Sequence, residues 1–288
     1  MEKFEFVNLT KQRVFDAILQ KKQTLNFSML KTCLRKKDIK VNGKRIKENV
    51  EVFENDQIEV FLNTKKAKQI DVIFEDNNII VAHKPQGIET TKKDKTFLES
   101  ESLEELVDAT ACHRLDKNTE GIVVLAKNKL AQKELEKAFK THNVKKTYSA
   151  IVFGKINKKG EKFTNFLQKN DNFVKIFDKN PKNQKDLLIA KLSYIVKKQV
   201  GELFEIDVNL ETGRTHQIRA QLAHHGIFVL GDEKYGSKEA NKKYHQKKQL
   251  LCSKQIAFEN LSAPLDYLSG KVFETEPSFD IELLNEKI

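Results

Sequence analysis

The chain has 288 residues, of which 39% are hydrophobic and 32% are charged, so it can build a core and wholesale disorder is excluded. Its length suits one large domain joined to a small one. The formal net charge of +11 favours a polyanionic partner, because basic side chains release condensed counterions from phosphates when they bind nucleic acid.

The three cysteines, Cys33, Cys112 and Cys252, are far apart and never form a Cys-x-x-Cys pair. This spacing excludes a disulfide framework and a thiolate zinc site, and it fits a reducing compartment. No apolar run approaches the ~18 residues of a membrane span. The N-terminus lacks the apolar region of a signal peptide. We therefore expect a cytoplasmic protein without a membrane segment.

Residues 1–62 form a small module in this interpretation. Thr10 and Ser28 are placed to cap two helices. Apolar residues follow each of them at helical spacing, namely Val14, Phe15, Ile18 and Leu19 in the first helix and Met29, Leu30, Cys33 and Leu34 in the second. The pair Asn42-Gly43 predicts a hairpin turn, and residues 58–62 alternate like a strand.

The second helix and the hairpin are basic. Lys31 and Arg35 lie one helical turn apart, and Lys40 and Lys44 flank the hairpin turn. Such a run is commonly a solvated face, but a basic helix beside a basic hairpin can follow a phosphate backbone. The segment Leu34-Arg-Lys-Lys-Asp-Ile-Lys-Val-Asn-Gly-Lys44 resembles the S-four-type RNA-binding domain, first described in a small-subunit ribosomal protein. The resemblance implies binding to structured RNA.

Residues 63–69 are polar and basic without periodicity, and we interpret them as a linker. From Ile70 onward, short β-rich runs outnumber helices, and residues 92–110 are predicted to form a loop with one short helix. We expect a helix over 129–142, with Leu130, Leu135, Ala138 and Phe139 on its apolar face, and another from a Thr215 cap to His224. The predicted class of residues 70–288 is α+β, with a mixed, largely antiparallel sheet.

Two polar blocks could carry chemistry. The block His113-Arg-Leu-Asp-Lys-Asn-Thr-Glu-Gly-Ile-Val-Val-Leu-Ala-Lys127 places Asp116 in a polar turn just ahead of an apolar strand. The block Thr212-Gly-Arg-Thr-His-Gln-Ile-Arg219 supplies two arginines, either of which could face that carboxylate. An Asp in such a turn is often only a turn-forming residue, and the arginines could be surface phosphate contacts. One acid, a facing arginine and a basic chain together suggest chemistry on nucleic acid.

Metal and nucleotide cofactors are not expected. The histidines show no ligand pair at helical spacing with acidic partners, and the adjacent His224 and His225 are predicted to point apart. Glycine-rich phosphate loops of the Walker or dinucleotide type are absent from the sequence.

The block from His113 to Lys127 resembles the signature of RluA-family pseudouridine synthases. Three further blocks agree in order: Glu75-Asp-Asn-Asn-Ile-Ile-Val-Ala-His-Lys-Pro-Gln-Gly87, Lys146-Thr-Tyr148, and Thr212 to Arg219 followed by Gly231-Asp-Glu-Lys-Tyr-Gly236. The chain departs from the family pattern at Glu120, where a Ser is usual, at Ala220-Gln221 and at Cys252. Tyr267-Leu-Ser-Gly-Lys271 resembles the RluC-type branch.

The resemblance implies the pseudouridine synthase fold, an RNA substrate and no cofactor. It assigns the catalytic carboxylate to Asp116, pairs Arg219 with it, and stacks Tyr148 on the flipped uracil. Arg114 would fill the gap that the flipped base leaves or hold the phosphate of the flipped nucleotide, and Arg214 would be a further RNA contact.

The RluC-type branch implies large-subunit ribosomal RNA as the substrate, and we expect a monomer. Two alternatives stay open at this point: a related synthase acting on tRNA, and a non-catalytic RNA-binding factor in ribosome assembly that kept the fold.

Overall fold

The computed structural model describes residues 2–22, 25, 27–62, 70–92, 102–170, 173–181 and 186–285. The chain divides into two compact units. The N-terminal unit comprises Met1–Gln69 with Lys92–Glu101, and the C-terminal unit comprises Ile70–Thr91 with Ser102–Ile288. The predicted linker over 63–69 lies outside the described residues. Within the described part of the chain, every helix falls short of the length and apolarity that a membrane crossing requires.

The N-terminal unit holds two helices and six short strands among its described residues. They are β1 (Glu2–Val7), β2 (Gln12–Arg13), α1 (Val14–Lys21), α2 (Phe27–Arg35), β3 (Ile39–Val41), β4 (Lys44–Arg45), β5 (Glu51–Val52) and β6 (Gln57–Leu62). The order β1-β6-β3-β4 forms one antiparallel sheet, and β2 pairs with β5. Asn42 and Gly43 both have positive φ, 49° and 74°, as the predicted two-residue hairpin turn requires.

Both predicted helix caps in this unit are wrong. The helix α1 begins at Val14, after Arg13, whose side chain makes no capping bond. Gln12 and Arg13 pair with β5 instead, so the backbone between Thr10 and the helix is extended. Ser28 lies inside the first turn of α2. The apolar spacing itself is correct, because Val14, Phe15, Ile18 and Leu30 are buried in one core.

The C-terminal unit holds the remaining strands and helices. They are β7 (Asp71–Glu75), β8 (Ile79–Lys84), α3 (Leu103–Val107), β9 (Thr110–Ala111), β10 (Glu120–Ala126), α4 (Lys129–Lys140), β11 (Val144–Gly154), β12 (Gly160–Lys169), β13 (Val174–Phe177), β14 (Leu188–Val200), β15 (Leu203–Leu210), α5 (Gln217–His224), β16 (Ile227–Val229), α6 (Lys238–Lys243), β17 (Leu251–Phe258), β18 (Val272–Glu274) and α7 (Ile281–Asn285).

One sheet organises this unit. Its main path runs β13-β12-β14-β15-β11-β17-β10-β8-β7, with β16 on β11, β18 on β17 and β9 on β10. Strands β10 and β17 run parallel, whereas the other described pairs in this sheet are antiparallel. The predicted α+β class with a mixed, largely antiparallel sheet is confirmed.

The sheet is covered on both faces around β10. Side chains alternate along a strand, so Val123 and Leu125 join the core that contains Ile218 of α5. Their neighbours Ile122, Val124 and Ala126 join a second core under α4. The predicted apolar face of α4 is wrong at Leu130, which is 66% exposed, because Ala131, Glu134, Leu135 and Ala138 are the positions that turn inward.

Gly121 allows the parallel contact between β10 and β17. It pairs with Ser253 and has a φ of 110°. A Cβ at this position would lie 2.4 Å from the backbone oxygen of Ser253. Ser253 also pairs with Tyr148 on β11, so the close approach at Gly121 brings the turn ahead of β10 near Tyr148.

Candidate active site

The turn that carries Asp116 is held from both sides. Thr90 Oγ1 donates to the carbonyl of Leu115 at 3.1 Å and accepts from its N–H at 3.1 Å. The carbonyl of Lys117 accepts from the N–H of Gly87 at 2.8 Å and from Lys84 Nζ at 3.2 Å. The residues before and after Asp116 are therefore fixed by hydrogen bonds, which restricts where its carboxylate can point.

Lys84 is a buried lysine that holds the turn through backbone carbonyls, and we did not predict this role from the sequence. Its side chain is fully buried, and its ammonium also donates to the carbonyls of Pro85 and Ile88 at 3.0 and 2.9 Å. A buried ammonium is costly unless hydrogen bonds compensate for the lost water. The sequence shows only a lysine before a proline at the end of a strand, which is typical of an ordinary turn.

Arg219 lies between two carboxylates. Its Nη1 donates to Asp116 Oδ2 at 2.9 Å, and its Nε and Nη2 form a fork to Asp232 at 2.6 and 2.9 Å. The expected contact between Asp116 and Arg219 is thus present. Burial alone would lower the pKa of Arg219, but the hydrogen bonds and charge of Asp232, together with Asp116, raise it.

Asp232 orients that guanidinium, although its sequence context did not indicate such a role. Its side chain is 1% exposed, and Oδ1 also accepts the N–H groups of Lys234 and Tyr235 at 2.8 and 3.1 Å. Burial acts to raise the pKa of Asp232, but the hydrogen bonds and charge of Arg219 outweigh it and keep the pKa low. The fork fixes the guanidinium plane, so Nη1 is left for Asp116.

The start of α5 differs from the prediction. The helix begins at Gln217, and its N-cap is His216, not Thr215. His216 has a left-handed backbone with φ 53°, which is unusual for a residue with a side chain. This left-handed turn of the backbone lets Gln217 Oε1 accept a hydrogen bond from the N–H of Arg214 at 3.0 Å. It also brings His216 Nε2 within 3.9 Å of Asp116 Oδ1.

Tyr235 contacts the ring nitrogen of His216 that faces away from Asp116. The Tyr235 hydroxyl accepts the N–H of Val174 at 2.9 Å and lies 3.1 Å from His216 Nδ1. When the hydroxyl donates its hydrogen to Nδ1, the hydrogen of a neutral imidazole lies on Nε2, facing Asp116. Burial lowers the pKa of His216, although the charge of Asp116 opposes this shift.

Tyr148 forms an apolar wall beside these charged groups. It is 6% exposed and lies on β11, which pairs with β15 on one side and β17 on the other. Burial raises the pKa of its hydroxyl. The phenol therefore keeps its hydrogen at neutral pH and offers a ring face and a hydrogen-bond donor.

These residues share one pocket. Its volume is about 470 Å³, within the range of roughly 300–1,000 Å³ that small-molecule sites occupy. Asp116, Tyr148 and Arg219 line it together with His216. Basic side chains supply much of the remaining wall, namely Arg114, Lys140, Lys146 and Arg214. Such a pocket fits a planar, hydrogen-bonding group attached to an anionic chain.

The basic residues that the sequence predicts to contact RNA lie in both units. Arg114 and Arg214 are exposed pocket residues, and Arg214 Nε donates to the carbonyl of Ile189 at 3.3 Å. In the N-terminal unit, Lys31, Arg35 and Lys44 are exposed on α2 and β4. Lys40 differs from them: it lies 3.9 Å from Glu59 and over the ring of Phe61, so part of its charge is already paired.

The two adjacent histidines do not point apart as predicted. The ring centroids of His224 and His225 are 5.1 Å apart, and both offer a ring nitrogen close to a carboxylate oxygen of Asp178. None of the three lines the Asp116 pocket.

Comparison with known proteins connects this geometry to a family. A family model described as RNA pseudouridylate synthase matches residues 78–224, a range that contains Asp116, Tyr148 and Arg219. An RNA pseudouridine synthase from Mycoplasma capricolum subsp. capricolum is 30% identical, and the alignment covers 93% of this chain and 95% of that protein. The ribosomal large subunit pseudouridine synthase C from Rickettsia conorii is 34% identical over 75% of this chain and 79% of its own length.

The fold has a solved counterpart. The structure of human RNA pseudouridylate synthase domain containing 1 superposes with a TM-score of 0.57 at 17% sequence identity. The match covers 78% of this chain and 97% of the human chain.

Proposed function

This chain belongs to the RNA pseudouridine synthase family, in its RluA-type branch, and from that premise we propose that it modifies uridines of large-subunit ribosomal RNA with Asp116 as the catalytic carboxylate. The reaction is an isomerisation. The bond from N1 of uracil to C1′ of ribose breaks, the base turns, C5 bonds to C1′, C5 loses its hydrogen, and N1 carries one in the product. Atoms and electrons balance without an oxidant or reductant.

The target uridine must leave its stack before this chemistry. Extruding a base costs a few kcal/mol, and less for a base that is already unpaired. The pocket can receive such a base, because Tyr148 presents a ring that can stack on uracil, a contact worth roughly 1–3 kcal/mol. Arg114 and Arg214 at the exposed part of the pocket can hold the phosphates on either side.

This proposal rests mainly on the different hydrogen bonding of the two Asp116 carboxylate oxygens. Oδ2 accepts a charge-assisted hydrogen bond from Arg219 at 2.9 Å. Oδ1 accepts no hydrogen bond from the described residues, and His216 Nε2 stays 3.9 Å away. Arg219 therefore stabilises the negative charge and fixes the rotamer, while Oδ1 remains open toward the pocket. We assign the reaction to Oδ1, either as nucleophile or as base.

The ribosomal RNA substrate rests on two supports. The Rickettsia relatives carry the name ribosomal large subunit pseudouridine synthase C. In the N-terminal unit, α1 and α2 precede the hairpin of β3 and β4, the order that we expect of an S-four-type module. Lys31, Arg35 and Lys44 are exposed on α2 and β4. A separate RNA-binding module suits a large structured RNA.

The test compares wild type with Asp116→Asn. The amide keeps the shape of the carboxylate and can still accept from Arg219, but it lacks the ionised oxygen. We expect folded protein that binds RNA and forms no pseudouridine, measured by chemical mapping of pseudouridine in ribosomal RNA and tRNA. Asp266→Asn, at an exposed aspartate, is the matched control and should be fully active.

The same mapping separates the alternatives. Pseudouridine that appears only in tRNA would exclude the ribosomal substrate. Asp116→Asn activity within about tenfold of wild type, a barrier change under ~1.4 kcal/mol, would exclude the assigned role of the carboxylate. Absence of pseudouridine in every RNA, with tight RNA binding retained, would favour an assembly factor.

A further inference from the structure

A second cluster of chemically capable side chains lies outside the Asp116 pocket. Asp178 follows β13 directly, His224 is the last residue of α5, and His225 comes next. Each offers one ligand atom, and these atoms all lie within 4.8 Å of one another. We propose that Asp178, His224 and His225 form a binding site for a divalent transition-metal ion of the Zn²⁺ or Ni²⁺ type.

The spacing suits one ion. His224 Nε2 and Asp178 Oδ1 are already 2.9 Å apart. Ligand atoms around a tetrahedral zinc lie ~3.3 Å from each other, because each bond to nitrogen or oxygen is ~2.0–2.1 Å. The Asp178 side chain is 67% exposed and that of His224 is 29% exposed. Both side chains reach solvent, so small adjustments within their present contacts can bring the set onto one centre, and water can supply the fourth ligand.

Buried neighbours hold two of the three ligands in place. Asn165 is 2% exposed, and its Nδ2 donates to Asp178 Oδ1 at 3.0 Å. The Asn165 Oδ1 lies 3.3 Å from His225 Nε2 and accepts from Gln221 at 2.8 Å. The His225 ring stacks on Phe163 with centroids 3.7 Å apart and planes 10° apart. Metal sites depend on such supporting contacts, which orient the ligands before the ion arrives.

The electrostatic setting favours a cation of this class. His224 and His225 terminate α5, and the carboxyl end of a helix carries partial negative charge that attracts cations. Two imidazole nitrogens with one carboxylate suit Zn²⁺, Ni²⁺ and Cu²⁺. Mg²⁺ and Ca²⁺ prefer sets made entirely of oxygen.

The ion would tie α5 to the sheet. Asp178 follows β13, Asn165 lies on β12, and α5 carries Arg219 at its start. A bound ion at the far end of this short helix would stabilise the helix that presents Arg219 to Asp116. The cluster does not touch the pocket, so the basal activity does not require the ion.

The experiment uses the full chain, stripped with a chelator and titrated with Zn²⁺ in a calorimeter. We expect saturable binding of one Zn²⁺, a higher melting temperature with the ion, and no response to Mg²⁺. His224→Ala and Asp178→Asn should each weaken Zn²⁺ binding by at least ~10-fold, the lower end of what even supporting residues cost. His245→Ala, at another exposed histidine, is the matched control.

Co²⁺ identifies the ligands. We expect weak d–d bands without thiolate charge-transfer absorption, and their loss in His224→Ala. Both substituted residues are exposed in part, so the metal-free variants should melt with the metal-free wild type; should His224→Ala not fold, His224→Gln replaces it. Thiolate bands would place the ion on a cysteine and overturn the proposal. So would Zn²⁺ affinity unchanged in both variants, or no saturable binding by wild type.

Discussion

Arg219 is the residue on which the geometry of the pocket depends. It is the shared partner of Asp116 and Asp232, and its side chain is only 10% exposed. Removing it leaves one carboxylate fully buried and the other partly buried, each without its counter-charge. Breaking a buried ion pair by deleting one partner costs ~3–5 kcal/mol.

We therefore expect Arg219→Ala to lower the melting temperature and abolish turnover. Arg219→Lys keeps the charge but loses the fork, so it should restore stability more than activity. Arg214→Ala removes an exposed arginine from the same pocket, and it should weaken RNA binding while leaving stability unchanged. Thermal melts and turnover of the three variants check this, and an unshifted melt for Arg219→Ala would show that the pair does not stabilise the fold.

His113 makes stability depend on pH. Its Nε2 accepts the N–H of Val124 at 3.0 Å, its ring lies against Phe139, and desolvation of the ring, with a smaller contribution from the charge of Lys146, lowers its pKa to about 3. In the unfolded chain the pKa of the imidazole returns to ~6.5. Between pH ~6.5 and ~3, the unfolded state therefore binds a proton that the folded state does not bind. The contribution of neutral His113 is therefore complete above pH ~6.5 and is lost as the pH falls from there toward 3.

The variant His113→Gln keeps an acceptor for Val124 but does not titrate. Its free energy of unfolding should fall less steeply than that of wild type between pH ~6.5 and ~4, measured by denaturant unfolding at each pH. His245→Gln, at an exposed position, should leave the wild-type slope unchanged. Parallel curves for His113→Gln and wild type would rule out a desolvated neutral imidazole at this position.

At the scale of the elements, the contact between β10 and β17 brings Asp116 and Tyr148 into one pocket. Gly121→Ala places a methyl group against the backbone of Ser253 and adds strain at φ 110°. Strain and crowding of this kind each cost ~1–3 kcal/mol. The free energy of unfolding and the turnover rate should both fall.

Gly270→Ala separates crowding from backbone strain. Gly270 also has positive φ, 82°, but a Cβ added there would meet no atom within 4 Å. A denaturant melt should show a smaller loss of stability for Gly270→Ala than for Gly121→Ala, with activity retained. Equal losses would mean that only the backbone conformation matters at Gly121.

Local patterns predicted the elements better than their ends. The strand over 58–62 and the helix of α4 follow from the alternation and spacing of apolar residues, which are properties of neighbouring residues. The starts of α1 and α5 were predicted wrongly because Thr10 and Thr215 have the chemistry of caps. The pairing of β2 with β5 depends on residues 51 and 52, far from Thr10 in the chain. At α5, a left-handed residue, His216, takes the cap position instead of Thr215.

At the site, too, the sequence indicated the residues better than their long-range contacts. Asp116, Tyr148 and Arg219 could be selected from blocks that resemble a family, but the pattern does not contain the contacts that orient them. Lys84 donates to the distant carbonyl of Lys117 as well as to two nearby carbonyls. Asp232 accepts from Arg219 as well as from two nearby N–H groups. Each looks locally like a turn residue. Glu120, a departure from the family pattern, is buried and accepts from the N–H and hydroxyl of Ser278. These bonds attach the segment around Ser278 to β10, and the residues next to Glu120 in the sequence do not indicate this contact.

At the scale of the whole molecule, the two units have separate cores. The core of the N-terminal unit draws on residues up to Leu62, and the two cores around β10 draw on residues from Ile70 onward. Deleting residues 1–62 should therefore leave a folded C-terminal unit with an intact pocket. Its RNA affinity should drop, because Lys31, Arg35 and Lys44 are lost.

The salt dependence of binding measures that loss. Each phosphate contact contributes about 0.7–0.9 to the slope of log affinity against log salt concentration, so the deletion should flatten the slope. The triple variant Lys31→Gln, Arg35→Gln, Lys44→Gln should reproduce most of that change in the full chain. Lys158→Gln with Lys162→Gln is the matched control, because these ammonium groups already pair with Glu161 and Glu211. A slope that neither the deletion nor the triple variant changes would mean that the N-terminal unit does not contact RNA.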